Sequence, residues 1–524
     1  MHEVFPFYLF LILVIVFLIV LANKLKIAYP VLLVVAGLAI SFIPGIPVIH
    51  IAPELIFTIF LPPLLYEASW SISWKELWRW RRIVTGFAFG MVFFTAISVA
   101  FIANYFIPGF SLALGFLLGG IVSPPDAVSA GAIMKFVKIP KRMSAVLEGE
   151  SLLNDASSLI IFRFAMIAVG TGQFLMGQAL ISFTWMIIGG VAIGLAIAWA
   201  FIKLHKILTS DVNVDIVLTI VAPYLMYLLA EEVGSSGVIA VVSGGLFLST
   251  KRYLFLTSGT RLRGLNVWES IIFVMNGLVF MLIGLDLPEI VQSLRAESIS
   301  LVSAIGYGLL ITVVLICSRF LFALLTIVMT MIASRFIKVA DARNPGYKAP
   351  IVFGWTGMRG VVSLAAALSI PLYVSPGVTF PERSLILFIT FVVILSTLLI
   401  QGLTLPFLIK KIKLEDFGDH MPEEEAERFI DAGINARAAE YLKTQKESAL
   451  YPQLEKITLH WVENSTEVKD NEFLSVLKEQ YQNILESQRR WLLEENRNNE
   501  MLDEEVVRKY LSKIDVEESR IHLV

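Results

Sequence analysis

The sequence predicts an all-α polytopic membrane protein of about thirteen transmembrane helices with a C-terminal helical cytosolic domain. Three observations carry that prediction. Of the 524 residues, 56% are hydrophobic and 16% charged, and the mean hydropathy is +0.75. The apolar residues come in long runs instead of the short alternations of a soluble core. The basic residues gather in every second connection between those runs.

Runs of about 20 apolar residues are long enough to cross the hydrocarbon layer. They fall at 6–22, 28–44, 53–72, 83–106, 111–135, 143–170, 179–204, 213–232, 236–250, 266–288, 299–334, 349–373 and 384–409. The first run has no basic segment before it and no small-residue cleavage site ahead of Lys24 and Lys26, so it reads as a retained span and not as a signal peptide. Basic groups follow the first, third, fifth, seventh, ninth, eleventh and thirteenth spans: Lys24 and Lys26; Lys75, Arg79, Arg81 and Arg82; Lys135, Lys138, Lys141 and Arg142; Lys203 and Lys206; Lys251, Arg252, Arg261 and Arg263; Arg335, Lys338, Arg343 and Lys348; Lys410, Lys411 and Lys413. The other connections hold only Arg295 and Arg383, which predicts the N-terminus outside and the C-terminus in the cytoplasm. The single cysteine, Cys317, excludes an intramolecular disulfide and a cysteine-based metal site.

Two spans should be broken, at matching places. The fifth carries Ser123-Pro124-Pro125-Asp126 and the twelfth Gly354-Trp355-Thr356-Gly357-Met358-Arg359-Gly360. Spans one to six and eight to thirteen then form two inverted repeats with the seventh as connector. Interrupted helices at corresponding positions of opposed halves point to a transporter's binding site.

Charges inside these stretches need a reason, because an ionisable group at the bilayer centre costs roughly 3 kcal/mol or more unless paired or hydrated. In SPPDAV, Ser123 can cap a half-helix, Pro124 suits its first position, and Asp126 falls where a capping-box acid would. The prolines bring no N–H, so carbonyls around Gly120 and Ile121 lose their usual donors and become available to a cation. The bland alternative is a kink with a capping acid. In GESLLND, Glu150 and Asn154 share one helical face and Asp155 follows. Asp155 lies thirteen residues past Arg142, roughly 20 Å along a helix and so near the bilayer middle. Low dielectric disfavours a lone charged carboxylate, and a hard cation favours oxygen ligands, so one group there can hold either a proton or a cation. The alternative is an Asp merely bonded to Asn154.

From about residue 413 the character changes: the tail has 15 Lys+Arg against 26 Asp+Glu, whereas the preceding part has 27 against 18. Phe473, Leu477, Tyr481, Ile484, Gln488 and Trp491 follow helical spacing, which predicts an amphipathic helix over about 471–496, and another is expected over about 503–519. This tail reads as a helical domain that docks on itself or on a partner subunit, with regulation as the second reading. Gly190 and Gly194 form a small-xxx-small pattern in the seventh span, read as helix packing.

GESLLNDA (149–156), SPPDAV (123–128), FLPPLLYEA (60–68), GMRG (357–360) and LLIQGLTLP (398–406) together resemble the monovalent cation/proton antiporters of the sodium/proton exchanger type, particularly their bacterial branch. The resemblance covers about residues 1–411 and, more weakly, KIDVEES in the tail. It implies a membrane domain over 1–411, with a dimerisation part at about 1–75 and 179–290 and a mobile core at about 83–170 and 299–411, followed by the acidic domain at 412–524. It implies exchange of Na⁺, with Li⁺ and K⁺ as alternatives, for H⁺ by an elevator-like motion in a homodimer of the cell membrane, among lipid. No cofactor and no nucleic-acid partner are expected.

By the same resemblance Asp155 is the exchanging carboxylate, Asn154 its partner in the Asn-Asp pair of electroneutral members, and Asp126 the acid at the helix crossing; Asp155 and Asp126 would hold the transported Na⁺. Glu150 and Arg359 match a buried ion pair joining the sixth and twelfth spans, and Arg319 a basic residue opposite the crossing that compensates the negative helix ends. Glu67 matches an acid that lines the ion site in some members, with a structural role equally open. The chain departs from the archaeal and animal members at Pro125-Asp126-Ala127, where those tend to have Thr-Asp-Pro or Val-Asp-Pro, so the hydroxyl just before the acid is absent. Ser123 or a carbonyl then stands in, which leaves ion selectivity open. Arg163, two turns past Asp155, either tunes that acid or extends to the membrane surface.

Two other classes remain to be weighed. An intramembrane aspartyl protease using Asp126 and Asp155 would need Gly-x-Gly-Asp, which is absent, as are HExxH and Gly-x-Ser-x-Gly. A channel would need charged rings or a carbonyl filter such as TVGYG, also absent.

Overall fold

A computed structural model describes residues 5–43, 56–134, 137, 139–172, 176–208, 211–297, 299–333, 335–336, 348–375, 377–414, 420–445 and 471–523. Lys135, Lys138, Lys338 and Arg343, used above to orient the spans, lie outside them. The described chain is almost wholly helical. In order it forms α1 (Phe5–Leu25), α2 (Tyr29–Ser41), α3 (Leu61–Ser71, entered through a π-helical turn at Ile56–Phe60), α4 (Trp74–Arg79), α5 (Arg81–Phe106), α6 (Leu112–Val122), α7 (Ala127–Met134), α8 (Lys141–Thr171), α9 (Met176–Leu208) and α10 (Val212–Glu232). There follow α11 (Gly237–Phe255), α12 (Ser258–Leu285), α13 (Leu287–Ala296), α14 (Leu301–Ala333), α15 (Lys348–Trp355), α16 (Val361–Leu368), a short hairpin of β1 (Tyr373–Ser375) and β2 (Val378–Thr379), and α17 (Arg383–Ile412). The last three are α18 (Glu423–Gln445), α19 (Asn471–Asn498) and α20 (Glu504–Leu523).

Eight of these, counting α12 and α13 as one run, are long and apolar enough to cross a membrane. With α1, α2, α3 and the interrupted pairs α6/α7 and α15/α16 they make the thirteen spans the sequence predicts. Both breaks occur where expected. Prolines 124 and 125 stop α6, and the glycine-rich Thr356–Gly360 stretch stops α15.

The chain divides into two compact units. The first comprises Met1–Thr209, Val217–Phe255 and Val267–Glu415. In it α5, α6, α8, α14 to α17 pack around the breaks, while α9, α11 and α3 pack as a second group that meets α8 through α11 and α3. The apolar window of α17 is 78% buried against 28% for α9, so α17 runs through the interior and α9 presents Ile181, Trp185, Ile188 and Trp199 outward. Small residues set the closest helix pairs. A Cβ added at Gly115 or Gly119 of α6 would lie 2.6 Å from the carbonyl oxygen of Ala100 or Ala96 on α5. Gly190 and Gly194 serve the packing role expected of them, because a Cβ at Gly194 would lie 2.2 Å from the Ala240 carbonyl oxygen of α11.

The second unit comprises Ser210–Ile216, Leu256–Asn266 and Asp416–Val524. Its three long helices include the two expected in the tail. The ring of Trp491 lies over Gly433, and Phe429 stacks near it at 6.2 Å. The buried face of α19 is Leu485, Gln488, Arg489 and Leu492, whereas Tyr481, assigned to that face from its spacing, is 40% exposed. The reason is ionic. Arg489 reaches Asp515 at 3.0 Å and also Glu518, and the Arg261 guanidinium meets Asp515 at 2.5 Å, all three principal side chains being under 10% exposed. The side chains of Phe473 and Leu477 lie outside the described residues.

Candidate functional site

The two breaks cross, and a backbone hydrogen bond joins them: the Asp126 amide donates to the Met358 carbonyl at 2.7 Å. In a continuous helix that amide would serve Val122, so the crossing leaves the last carbonyls of α6 without donors. Arg359 replaces them. Its Nε donates to the Val122 carbonyl at 2.7 Å and one Nη to the Ser123 carbonyl at 3.2 Å, the other Nη to the Gly357 carbonyl. The end of α15 is treated likewise by Arg319 of α14, whose Nε and Nη2 reach the Phe353 carbonyl at 3.4 and 3.3 Å. Each half-helix thus ends its carbonyl row on a guanidinium, where the helix dipole favours positive charge.

This arrangement corrects one expectation. Glu150 pairs with Arg319, not Arg359: Nη1 to Oε1 is 2.7 Å and Nη2 to Oε2 is 3.2 Å, with both side chains 1% exposed. Arg359, fully buried, has a donor on each of its three nitrogens committed to a carbonyl, whereas Arg319 turns both Nη atoms to the carboxylate as a fork.

The capping expectation also shifts by three residues. Ser123 closes α6 and does not open the next helix; its buried hydroxyl makes no hydrogen bond. Asp126 itself caps α7, accepting at Oδ1 from the Val128 amide (3.0 Å) and at Oδ2 from the Ser129 amide (3.3 Å) and hydroxyl (2.5 Å). Three donors of the first turn of α7 thus converge on its carboxyl group. A Cβ on Gly360, the residue ahead of α16, would lie 2.3 Å from Asp126 Oδ2, so this acid sits against the starts of both second half-helices. Pro124 and Pro125 are buried at the crossing, and the Pro125 carbonyl accepts from Asn154 Nδ2 at 3.2 Å.

That bond fixes Asn154 of α8 against the break. Asn154 Oδ1 is buried without a partner. The Asp155 carboxylate, partly exposed, makes no hydrogen bond or ion pair with the described residues; only its backbone carbonyl is engaged, by Ser158. One turn along, Ser157 Oγ donates to the Ala88 carbonyl at 2.5 Å, inside a π-helical turn of α5 at Gly86–Met91. Such wide turns expose carbonyls and recur at functional sites. A second one, Thr397–Gln401 in α17, supplies the hydroxyl of Thr397 to the Arg359 amide at 3.1 Å.

Glu67 is partly exposed on α3, and the ring hydroxyl of Tyr29 at the start of α2 lies within electrostatic reach of both Glu67 and Asp126. Tyr29, Ser129, Ser157 and Thr397 are site residues that sequence reasoning missed. A tyrosine directly before Pro30 at the head of an apolar span was the signal available for the first. Arg163 neither approaches Asp155 nor extends alone, but pairs with Glu231 of α10. Among the described residues no three His, Cys, Asp or Glu side chains converge as a resident metal site would require.

Two crossed, interrupted helices beside a helix with a mid-span carboxylate define a secondary-transporter architecture. The family model "Sodium/hydrogen exchanger, transmembrane" matches residues 10–411, and the chain belongs to that family. A Bacillus subtilis protein named a sodium, potassium, lithium and rubidium/H⁺ antiporter is 36% identical over 378 residues, 71% of this chain and 56% of that protein; the match thus spans little more than half the relative's length. The low-affinity Na⁺/H⁺ antiporter NhaS1 of Synechocystis is 33% identical over 444 residues, 82% of this chain and 78% of its own. The solved structure of the sodium proton antiporter MjNhaP1 from Methanocaldococcus jannaschii shares the fold, with a TM-score of 0.61 at 20% identity over 78% of this chain and 99% of that one.

Proposed function

We propose that this protein exchanges a monovalent alkali cation, Na⁺ with Li⁺ and K⁺ as alternatives, for H⁺ across the cell membrane, one for one, with Asp155 binding each in turn. The observation that carries the reading is the contrast at the crossing. Arg319, Arg359, Glu150 and Asp126 are tied to one another or to helix ends, whereas the Asp155 carboxylate stands without a partner among the described residues in the middle of a 31-residue helix. A carboxylate so placed can be neutralised by a proton or by a cation, and competition between the two is exchange. Asn154 Oδ1 and the Ser123 hydroxyl are further oxygens without partners, suited to a hard cation. The names of the bacterial relatives, both alkali cation/H⁺ antiporters, support the same substrates.

In this reading the group of helices around the crossing (about 83–170 and 299–411) moves against a dimerising part (about 1–75 and 179–290), with the N-terminus outside and the acidic tail in the cytoplasm. Tyr29, on the second part, lies within electrostatic reach of Asp126 across the division and of Glu67 beside it, and both line the path in this reading. The test is exchange in proteoliposomes at a fixed pH gradient, with and without a valinomycin-clamped potential. A rate indifferent to potential is expected, together with a cation KM that rises as pH falls. A strong dependence on potential means that a second acid, Asp126 or Glu67, also changes occupancy, and defeats the single-carboxylate scheme.

A further inference from the structure

Arg163 lies two turns beyond Asp155 on α8, roughly 12 Å along the axis and toward the end opposite Lys141. Its guanidinium meets Glu231 Oε2 near the end of α10. The other oxygen, Oε1, accepts from the amide of Gly237, the first residue of α11, at 3.0 Å. Glu231 therefore closes the α10–α11 connection and at the same time holds α8. One turn back on α10, Tyr227 is 9% exposed and so close to Gly237 that an added Cβ would lie 2.6 Å from its ring. The carboxylate is thus carried on a packed turn, not on a free loop. Arg163 and Glu231 are 38% and 30% exposed, and the pair spans the division between α8, which carries Asp155 and Asn154, and the α9–α11 group.

We propose that Arg163 and Glu231 form a latch that holds these two groups of helices in the orientation seen here and must open each time the carboxylate of Asp155 changes sides. This rests on the exchange reading above. Alternating access moves one bundle against another about a fixed site. A slide of one helical turn is about 5.4 Å, more than an ion pair at contact tolerates. By the distribution of basic residues the latched end is the outer one, and the pair favours the orientation seen here. A half-exposed pair shifts such an equilibrium by about two- to fivefold, enough to bias the cycle without locking it.

The experiment compares wild type with Arg163→Gln, Glu231→Gln and the swap Arg163→Glu with Glu231→Arg. Cation KM is measured on each face in right-side-out and everted vesicles, and backbone hydrogen exchange over 232–240 in purified protein. Each single variant should move the ratio of the two KM values about two- to fivefold and speed hydrogen exchange in that turn. The swap should restore both. Unchanged KM ratios in the folded single variants overturn the latch. Faster hydrogen exchange with an unchanged ratio makes the pair a static brace and overturns it equally. Failure of the exchange reading looks different, since wild-type vesicles would then show no cation-driven proton movement at all, whatever the hydrogen exchange of the turn.

Discussion

Arg319→Met tests the ionic frame of the crossing. It leaves Glu150 as a carboxylate that is 1% exposed with both oxygens unanswered, and it takes the Arg319 donors from the Phe353 carbonyl, which keeps the Thr356 hydroxyl. At an effective dielectric of about 20, unit charges about 3 Å apart attract by roughly 5 kcal/mol. Desolvation opposes that gain, and breaking one side of a buried pair typically costs about 3–5 kcal/mol. Glu150→Gln added to Arg319→Met removes the stranded charge, and the double variant should recover part of the loss. The cycle should return a coupling of about 2–3 kcal/mol for residues 150 and 319. The same cycle on 150 and 359 should return less than about 1 kcal/mol, because Arg359 spends its hydrogen bonds on the Val122, Ser123 and Gly357 carbonyls. The assay is denaturant unfolding in detergent followed by circular dichroism. A larger coupling to 359 than to 319 refutes the pairing.

Asp155→Asn should fold as wild type and lose exchange entirely in proteoliposomes, since the amide can neither release a proton nor match a carboxylate toward a cation; transport at the wild-type rate removes Asp155 from the mechanism. Gly360→Ala puts a methyl 2.3 Å from Asp126 Oδ2 and should lower thermal stability by about 1–3 kcal/mol while reducing exchange; a neutral substitution would show that the two breaks are not in close contact. In the second unit Asp515→Ala removes the carboxylate that Arg261 and Arg489, both under 10% exposed, share, leaving them Glu518 and, for Arg489, also Glu486; it should cost about 1–3 kcal/mol, read as early protease cleavage within 416–524, and wild-type resistance there would count against the buried cluster.

Most of the membrane architecture was legible because it is one-dimensional. Hydropathy runs, basic residues in alternate connections and the Pro124-Pro125 pair each act locally. Asp126 and Asp155 stood out for the same reason, as acids inside apolar runs. The ion pairing was not legible. Glu150 had two buried arginines within plausible reach, and the choice depended on which guanidinium was already occupied by helix ends, a fact of packing between segments 169 or more residues apart. The cap moved from Ser123 to Asp126 because Ser123 still belongs to the end of α6, and the crossing bond to Met358 holds Asp126 where the next helix begins. The buried face of α19 was misjudged because Arg489, a charged residue, is buried there by ion pairs that periodicity does not weigh.

The presence of Arg319, Arg359, Glu150 and Asp126 together at the crossing has a consequence for fidelity. As two cations and two carboxylates, these residues carry no net formal charge. Whatever charge the crossing bears is then that of Asp155 alone: zero with a proton or a sodium ion in place, minus one when bare. In the proposed cycle the loaded states pass the low-dielectric barrier as neutral bodies, while the bare state would have to carry an uncompensated anion through it, at a cost of several kcal/mol. In that cycle slippage, in which the carrier returns empty and dissipates the gradient, would be suppressed by the charge count of five side chains, without a separate gate to prevent it.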